Sequence, residues 1–305
     1  MIGHLWNVHM PEVSHRTMGD IVVKPAAVQT KFSLVLATLG RTAGLSNFLV
    51  HLDRQFHSNF ELIVVDQNAD DRVKLVLAHY LTRFSINHLK SQKGLSRARN
   101  IGLQYASGNV VAFPDDDCWY DPDTLQEVAN LFLQHPDWDG LTGSCKTPAG
   151  YLPFLDRVSG FVNKINVWRR AVSISIFLRR SVVTTVGNFD KDLGVGADSG
   201  FCSGEETDYL LRALEKDCRI YYESNLSVNH PDVRPVYDGH LAQKGYGYGR
   251  GLGYVLKKHQ YPLWYVGNVL FRALGGVGLA MAKFDSAQAK YHFSVLRGRL
   301  SGWMA

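Results

Sequence analysis

The sequence predicts an α/β fold with a mostly parallel sheet and helices on both faces. First, short apolar runs alternate with segments of helical periodicity between residues 32 and 134. Second, the strand candidates are continuous runs such as "LIVV", which are typical of strands buried on both faces. Third, a chain of 305 residues with 46% hydrophobic residues is long enough for one large domain and an appendage.

Each strand candidate is bounded by polar or turn-forming residues. The first ends near Thr38 and the second at Asp66, while "SINHL" predicts a short third strand. "NVVAFPDDD" predicts a fourth strand that leads directly into Asp115. Further along, the apolar–polar alternation of residues Ala171 to Leu178 predicts another strand.

Helices are predicted between these strands. "GLSNFLVHLDRQ" has apolar residues at helical spacing, and "DRVKLVLAHYLTRF" and "GLSRARNIGLQYA" follow the same pattern. In "DPDTLQEVANLFLQHP", Asp121 stands at the expected N-cap and Pro122 at the first helical position. The alternation of strands and helices favours a parallel sheet.

Several protein classes are disfavoured by what the sequence lacks. Four cysteines occur without a CxxC pair or zinc spacing, which indicates a reduced, cytosolic protein. There is no GxGxxG and no GxxxxGK[ST], which disfavours dinucleotide-binding folds and P-loop NTPases. Residues 1–30 are polar and histidine-rich, are not predicted to be a signal peptide, and are assigned as an N-terminal extension.

The C-terminal region, residues 239–305, is basic and apolar. It contains nine Lys or Arg residues against a single acid, Asp285. Residues 261–283 are apolar but interrupted by Asn268 and Arg272, which disfavours a spanning helix. We expect amphipathic helices that bind an anionic membrane surface, or alternatively a packed helical pair with a solvated basic face. Nucleic-acid binding is not expected, because no recognised binding motif accompanies the charge.

Polar residues follow three of the predicted strands. Thr38, Asp66 and the run Asp115–Asp117 all stand at carboxyl ends, where open α/β sheets bind ligands. Closely spaced carboxylates repel one another, and a divalent cation would convert that repulsion into binding energy. A solvated acidic loop is the alternative explanation.

A second acidic cluster, "SGEETD", begins a predicted helix. A carboxylate here could act as a general base, and Glu206 is the first candidate. The same letters also read as a capping box, with Ser203 as N-cap and Glu206 bonded back to its amide. In that case Glu205 or Asp208 would be the base.

In their order and spacing these motifs resemble family 2 glycosyltransferases of the GT-A fold. The resemblance covers residues 32–235 through "VLATLGR", "FELIVVDQN", "GLSRARNIGL", "AFPDDDCWYDPDTL", "VGNFD", "GEETDYLLRAL" and "VNHPD". It implies a GT-A domain over residues 31–238. It also implies an inverting enzyme, and the lack of QxxRW implies addition of a single sugar.

The resemblance assigns roles to individual residues. Asp117, Asp115 and His230 would bind Mg²⁺ or Mn²⁺, and Glu206 would be the catalytic base. Gln67 replaces an acid that contacts the base of the nucleotide in relatives, so the base of the donor is open. The implied nucleotide-binding residues are Thr38, Arg41, Asp66, Gln67, Arg97, Arg99, Asn100, Asp115 and Asp116.

The function implied is metal-dependent transfer of one sugar from a nucleotide-diphosphate sugar to a hydroxyl acceptor. A lipid-linked glycan of surface polysaccharide would explain the C-terminal region, with the protein peripheral on the inner face of the membrane. Two alternatives remain at this stage: a sugar-nucleotide pyrophosphorylase, and a non-enzymatic factor that binds nucleotide or membrane.

Overall fold

The computed structural model describes residues 29–152, 155–232 and 235–305. The predicted N-terminal extension therefore lies outside the described residues except for Gln29 and Thr30. The strands in chain order are β1 (Phe32–Thr38), β2 (Phe60–Asp66), β3 (Ser85–Lys90), β4 (Val110–Ala112), β5 (Gly140–Thr147), β6 (Gly150–Tyr151), β7 (Gly160–Phe161), β8 (Ile176–Arg179) and β9 (Ile220–Asn229).

The α-helices connect these strands and form the C-terminal region. In chain order they are α1 (Thr42–Leu52), α2 (Arg72–Leu77), α3 (Leu95–Leu103), α4 (Thr124–Gln134), α5 (Val167–Arg170), α6 (Arg180–Val186), α7 (Glu205–Leu214), α8 (Gly239–Lys258), α9 (Leu263–Ala282) and α10 (Ser286–Met304).

The strands of the described residues form one mixed sheet. Its order is β3-β2-β1-β4-β8-β5-β9-β7, with β6 paired to β5. β3, β2, β1 and β4 are parallel, whereas β8 is antiparallel to both of its neighbours. The predicted α/β fold with a mostly parallel sheet is confirmed.

The apolar strands bury both of their faces. Leu34 and Leu62 pack into one hydrophobic cluster with residues of α1 and α4. Val35 and Ile63, one position further along each strand, pack into a second cluster with residues of α3 and α7. Because side chains alternate between faces, a continuous apolar run is what a sheet covered on both sides requires.

Two local predictions were wrong. α4 begins at Thr124 instead of following Asp121, because residues 121–124 first make a turn in which the Thr124 amide bonds the Asp121 carbonyl. Asp121 instead accepts a hydrogen bond from Asn229. The predicted strand over residues 171–178 starts only at Ile176, because Ser175 bonds back to the Val172 carbonyl within a short 3₁₀ turn.

Glycines let the C-terminal helices α8 and α10 pack backbone to backbone. A Cβ atom on Gly298 would lie 2.2 Å from the carbonyl oxygen of Tyr246, and one on Gly253 would lie 2.1 Å from that of Arg299. No side chain fits at such distances, so these positions require glycine. α8 in turn packs against the loop before α7, where a Cβ on Gly251 would lie 2.2 Å from the Ser203 carbonyl.

We expect Gly298→Ala to lower the free energy of unfolding by about 1–3 kcal/mol, the range for overpacking a tight contact. Gly275→Ala in α9 is the matched control, because the space around Gly275 is open. Both substitutions gain similar helix propensity, up to about 1 kcal/mol, so their difference isolates the clash. Thermal unfolding of both variants measures it, and equal midpoints would contradict the backbone packing.

Candidate active site

Three predicted ligand-binding segments meet at one edge of the sheet. The parallel register places Thr38 beside Asp66 at the carboxyl ends of β1 and β2. Asp115 follows β4 and makes an isolated bridge with Ala37. The acidic run and the two strand-end side chains therefore lie together, as parallel strands require.

The three aspartates of the run differ in surroundings. Asp116 is buried and accepts a hydrogen bond of 2.7 Å from the Thr38 hydroxyl. Asp117 is partly exposed, and one of its oxygens lies 3.6 Å from Nε2 of His230. Asp115 is paired at 3.2 Å with the buried guanidinium of Arg99.

Burial and charge set the protonation of the run. Burial raises the pKa of Asp116 to about 6. The pKa of Asp115 is raised by burial and by the negative charges of Asp117 and Glu206. Burial tends to raise the pKa of Asp117 as well, but His230 and Arg41 outweigh this effect, and the pKa of that carboxyl is lowered. Asp117 is therefore the member of the run whose carboxyl has a lowered pKa.

A cationic side chain lies against the run. The Arg41 guanidinium contacts Asp116 at 2.9 Å and also pairs with Asp117. No three His, Cys, Asp or Glu side chains of the described residues are arranged as a closed metal cage. Asp115, Asp117 and His230 carry the kinds of ligand atom that bind Mg²⁺ and Mn²⁺, and ligand phosphates and water would have to complete the shell.

The second acidic cluster begins α7. The predicted capping box is not formed, because Gly204 with φ of +88° precedes the helix and Ser203 instead donates to the Tyr248 carbonyl. Glu206 is therefore not held by a cap. It lines a cavity of about 540 Å³ together with Asp115 and His230.

Glu205 points away from this cavity into the protein. It is buried and lies 3.4 Å from the Arg99 guanidinium. Burial and the neighbouring Glu206 raise the pKa of Glu205 well above its usual range. Arg99 thus joins Asp115 of the acidic run to Glu205 of the second cluster, and Ser173 fixes it with a hydrogen bond of 2.6 Å.

Asp208, the third candidate for the base, has a structural role. It is fully buried and bonded to His259 at 2.9 Å, Lys258 at 2.7 Å and Arg212 at 2.9 Å. Burial tends to raise the pKa of Asp208, but the hydrogen bonds and charges of these partners outweigh it and lower the pKa to about 2. With both oxygens engaged it ties α7 to the end of α8, which favours Glu206 over Asp208 as the candidate base.

The predicted nucleotide contacts at β2 have partners within the protein. Asp66 is buried and accepts from the amide of Asn68 and from Lys90, both at 2.8 Å. The side-chain oxygen Oε1 of Gln67 accepts a hydrogen bond from the backbone amide of Gly94 at 2.7 Å. The Gln67 amide nitrogen is thus the end of that side chain left to face a ligand.

The residues predicted on α3 divide into two groups. Arg97 is partly exposed; it donates to the Lys93 carbonyl at 3.1 Å and makes longer contacts with Asp198 and Gln92. Asn100 holds the backbone of Phe189 through both ends of its amide, at 2.9 and 2.7 Å. Asn100 therefore fixes the loop before α7, and its contact with the donor stays a prediction.

Sequence reasoning missed two residues of the site. Ser173, which orients Arg99, was hidden inside a predicted strand. Tyr248 lines the cavity from α8. The sequence feature that could have indicated Tyr248 is the alternating segment "GYGYGRGLG". Its glycines lie on two sides of a helix, which indicates that the helix has two close packing partners.

The architecture is the GT-A fold. TarS from S. aureus superposes with a TM-score of 0.58 at 16% identity, covering 89% of this chain and 90% of that one. The mannosyltransferase PcManGT from Pyrobaculum calidifontis superposes with a TM-score of 0.60 at 14% identity, covering 90% and 88%. Identities this low establish the shared fold and nothing more.

Sequence similarity identifies the family. Residues 33–148 match the family described as glycosyl transferase family 2. A PGL/p-HBAD biosynthesis glycosyltransferase of Mycobacterium bovis is 31% identical over 179 residues, 56% of this chain and 67% of the relative. Glycosyltransferase AglE of Haloferax volcanii is 25% identical over 231 residues, 73% of this chain and 69% of the relative.

The chain belongs to glycosyl transferase family 2 and is a glycosyltransferase. The two alternatives that the sequence left open, a pyrophosphorylase and a non-enzymatic factor, are set aside.

Proposed function

We propose that the protein transfers a single sugar from a nucleotide-diphosphate sugar to a hydroxyl acceptor with inversion, and that it depends on Mg²⁺ or Mn²⁺. The observation that carries the proposal is the cavity shared by Asp115, His230 and Glu206. One member of the acidic run, Asp115, and the Glu206 carboxylate line the walls of one space. An inverting transfer needs these two functions on opposite sides of the sugar.

Asp117, Asp115 and His230 would hold the cation. When bound, the cation supplies positive charge that stabilises the diphosphate as it leaves. Asp117 is the principal ligand because its carboxyl stays ionised, and Thr38 supports the run by fixing Asp116. Arg41, which contacts both aspartates, would have to leave them for a cation to bind, and its guanidinium could then contact the diphosphate.

Glu206 would be the base that takes the proton of the acceptor hydroxyl. It faces the cavity, whereas Glu205 is buried, does not line the cavity and has a raised pKa. Arg99 contacts both Asp115 and Glu205 and so keeps the two acidic clusters at a fixed separation. It acts by positioning these groups.

The nucleotide would lie along the carboxyl edge of β1 and β2. Arg41, Arg97 and the Gln67 amide face that edge and can reach a ligand, with Asp66 behind them. Two solved proteins with this fold carry donors: TarS with UDP-GlcNAc and PcManGT with GDP-Man and Mn²⁺. They support a sugar-nucleotide donor and a cation. Because the two donors carry different nucleobases, the nucleobase of the donor used by this protein has to be found by experiment.

Calorimetric titration tests this function directly. UDP, GDP, dTDP and CDP are added separately to the full chain, with Mn²⁺ and with EDTA. We expect one nucleotide to bind in the presence of Mn²⁺ and to lose most of its affinity in EDTA. If none binds in either condition, the proposed donor class is wrong.

The acceptor is proposed to be membrane-held, and α9 supports this. Of the described residues, only α9 forms a helix long and apolar enough to cross a membrane, with a mean hydropathy of 1.3. One side packs on the protein, whereas Trp264 is 64% exposed and Phe271 is 71% exposed. Because its inner side is covered, we propose that α9 lies in the membrane surface, on the cytoplasmic side, with basic residues attracting anionic lipid.

Removing the exposed aromatic rings should weaken membrane binding. The variant Trp264→Ser/Phe271→Ser is expected to lose at least about 10-fold in binding to anionic liposomes, since burial of each ring contributes roughly 1.5–3 kcal/mol. Phe56→Ser/Leu75→Ser removes comparably exposed apolar side chains elsewhere and should bind as the wild type does. Sedimentation with liposomes measures both, and equal binding of the two variants would exclude α9 as the contact.

A further inference from the structure

Arg299 on α10 is a partly buried cation that lines two cavities. One nitrogen of its guanidinium donates to the Val269 carbonyl at 2.6 Å, and its Nε has no hydrogen-bond partner in the described part of the chain. No carboxylate of the described residues pairs with it. Burial and the nearby charge of Arg272 lower the pKa of Arg299. Such a group is unfavourable in the free protein and well suited to an anionic ligand.

Arg299 lies where two cavities adjoin. The first is the 540 Å³ cavity that contains Asp115 and Glu206. The second, of about 490 Å³, runs beneath α9 and also carries Arg272 and His292. The wall residues common to both cavities are Trp168, Leu252, Tyr291, Val295 and Arg299. Arg299 is the charged member of this shared wall, and the rest is aromatic or aliphatic.

The second cavity is positive and mostly apolar. Arg169 also lines it but is already paired with Asp156 at 2.7 Å. Arg272 makes no ion pair with any carboxylate of the described residues. It stands at the border between the cavity and the exposed apolar side of α9. A ligand that satisfies Arg299 and Arg272 therefore carries negative charge next to an apolar segment.

We propose that this second cavity binds the phosphate group of a lipid-phosphate acceptor, with the lipid chain leaving along α9. The inference rests on the proposed transferase function and names its acceptor class. The acceptor hydroxyl, carried by a sugar that is linked to the lipid through this phosphate, would reach Glu206 through the first cavity, while the phosphate stays at Arg299 and away from the acidic groups. This separation avoids repulsion between the phosphate and Asp115.

A purely structural role for Arg299 predicts a different behaviour. In that case the guanidinium would only link α10 to the Val269 carbonyl of α9, and its loss would lower stability without changing ligand affinity. Arg297 provides the matched control, because it lies on the same helix, is exposed and lines neither cavity. Arg297→Gln removes the same charge from the same region.

The test is calorimetric titration of the full chain with geranyl phosphate, geraniol and inorganic phosphate. We expect geranyl phosphate to bind the wild type and Arg297→Gln equally, and to bind Arg299→Gln at least about 10-fold more weakly, the loss typical of a charge-assisted contact. Arg299→Lys, which keeps the charge, should fall between them. Geraniol and inorganic phosphate should each bind much more weakly than geranyl phosphate.

Three results would overturn the proposal. They are equal affinity of geranyl phosphate for Arg299→Gln and the wild type, binding of geraniol as tight as that of geranyl phosphate, and binding of inorganic phosphate as tight as either. The last would indicate a site for free phosphate. Metal-dependent nucleotide binding by each variant reports independently on the donor site. Failure of the lipid-phosphate site is thereby separated from failure of the transferase proposal.

Discussion

Glu206→Gln is expected to lower the turnover number by about 10²–10⁴-fold, the usual contribution of a general base. Glutamine keeps the size of the side chain but cannot take the proton of the acceptor hydroxyl. Glu206 faces the catalytic cavity beside Asp115 and His230, and no cap holds it. Because it does not touch the nucleotide in the proposed arrangement, metal-dependent nucleotide affinity should be unchanged. Steady-state kinetics and titration together measure the two effects.

Glu205→Gln is the matched control for this prediction. Glu205 is the adjacent residue on the same helix, but it is buried beside the Arg99 guanidinium and does not line the cavity. The amide keeps the size of the side chain and removes no group that faces the acceptor. We expect a loss of activity far smaller than for Glu206→Gln. If Glu205→Gln were the inactive variant, the assignment of the base would be reversed.

Asp117→Asn is expected to weaken nucleotide binding in Mn²⁺ by at least about 100-fold, because it removes the ionised ligand that the proposed cation site depends on. In EDTA the wild type and the variant should bind the nucleotide alike. The effect should thus be visible only when the metal is present. Titration of the matching nucleoside diphosphate under both conditions measures it.

Asp123→Asn serves as the control for the charge of this loop. Asp123 is exposed, stands six residues after Asp117 and has no side-chain bond at the start of α4. Its loss should leave both affinities unchanged. An Asp117→Asn protein with wild-type affinity in Mn²⁺ would show that the acidic run is not the cation site.

The sequence by itself determined the fold class and the edge of the sheet that carries the site. Apolar runs in β1 and β2 can be buried only between two layers of helices, and this local property needs no tertiary information. Strand direction then follows from the alternation with helices. The position of Asp115–Asp117 directly after β4 places the acidic run at the carboxyl edge for the same reason.

Only the tertiary structure decided what each acidic residue of α7 does. Glu205, Glu206 and Asp208 are close in sequence, and helical geometry points them in different directions: into the protein against Arg99, into the cavity, and toward Lys258 and His259. The capping box was wrong because Gly204 in a left-handed conformation starts the helix in place of Ser203. Which direction faces a ligand depends on what packs around the helix.

In the C-terminal region, too, some features follow from the sequence and others only from tertiary packing. Its apolar, basic composition predicts amphipathic helices that contact a surface, since composition alone sets the affinity of a face for water or lipid. The partly buried Arg299 and the cavity it shares with Asp115 and Glu206 have no sequence signal. They arise because glycines in α8 and α10 allow two helical backbones to touch, and that contact places an arginine of the last helix beside the active site. Such long-range proximity is a property of packing, which local residue patterns do not encode.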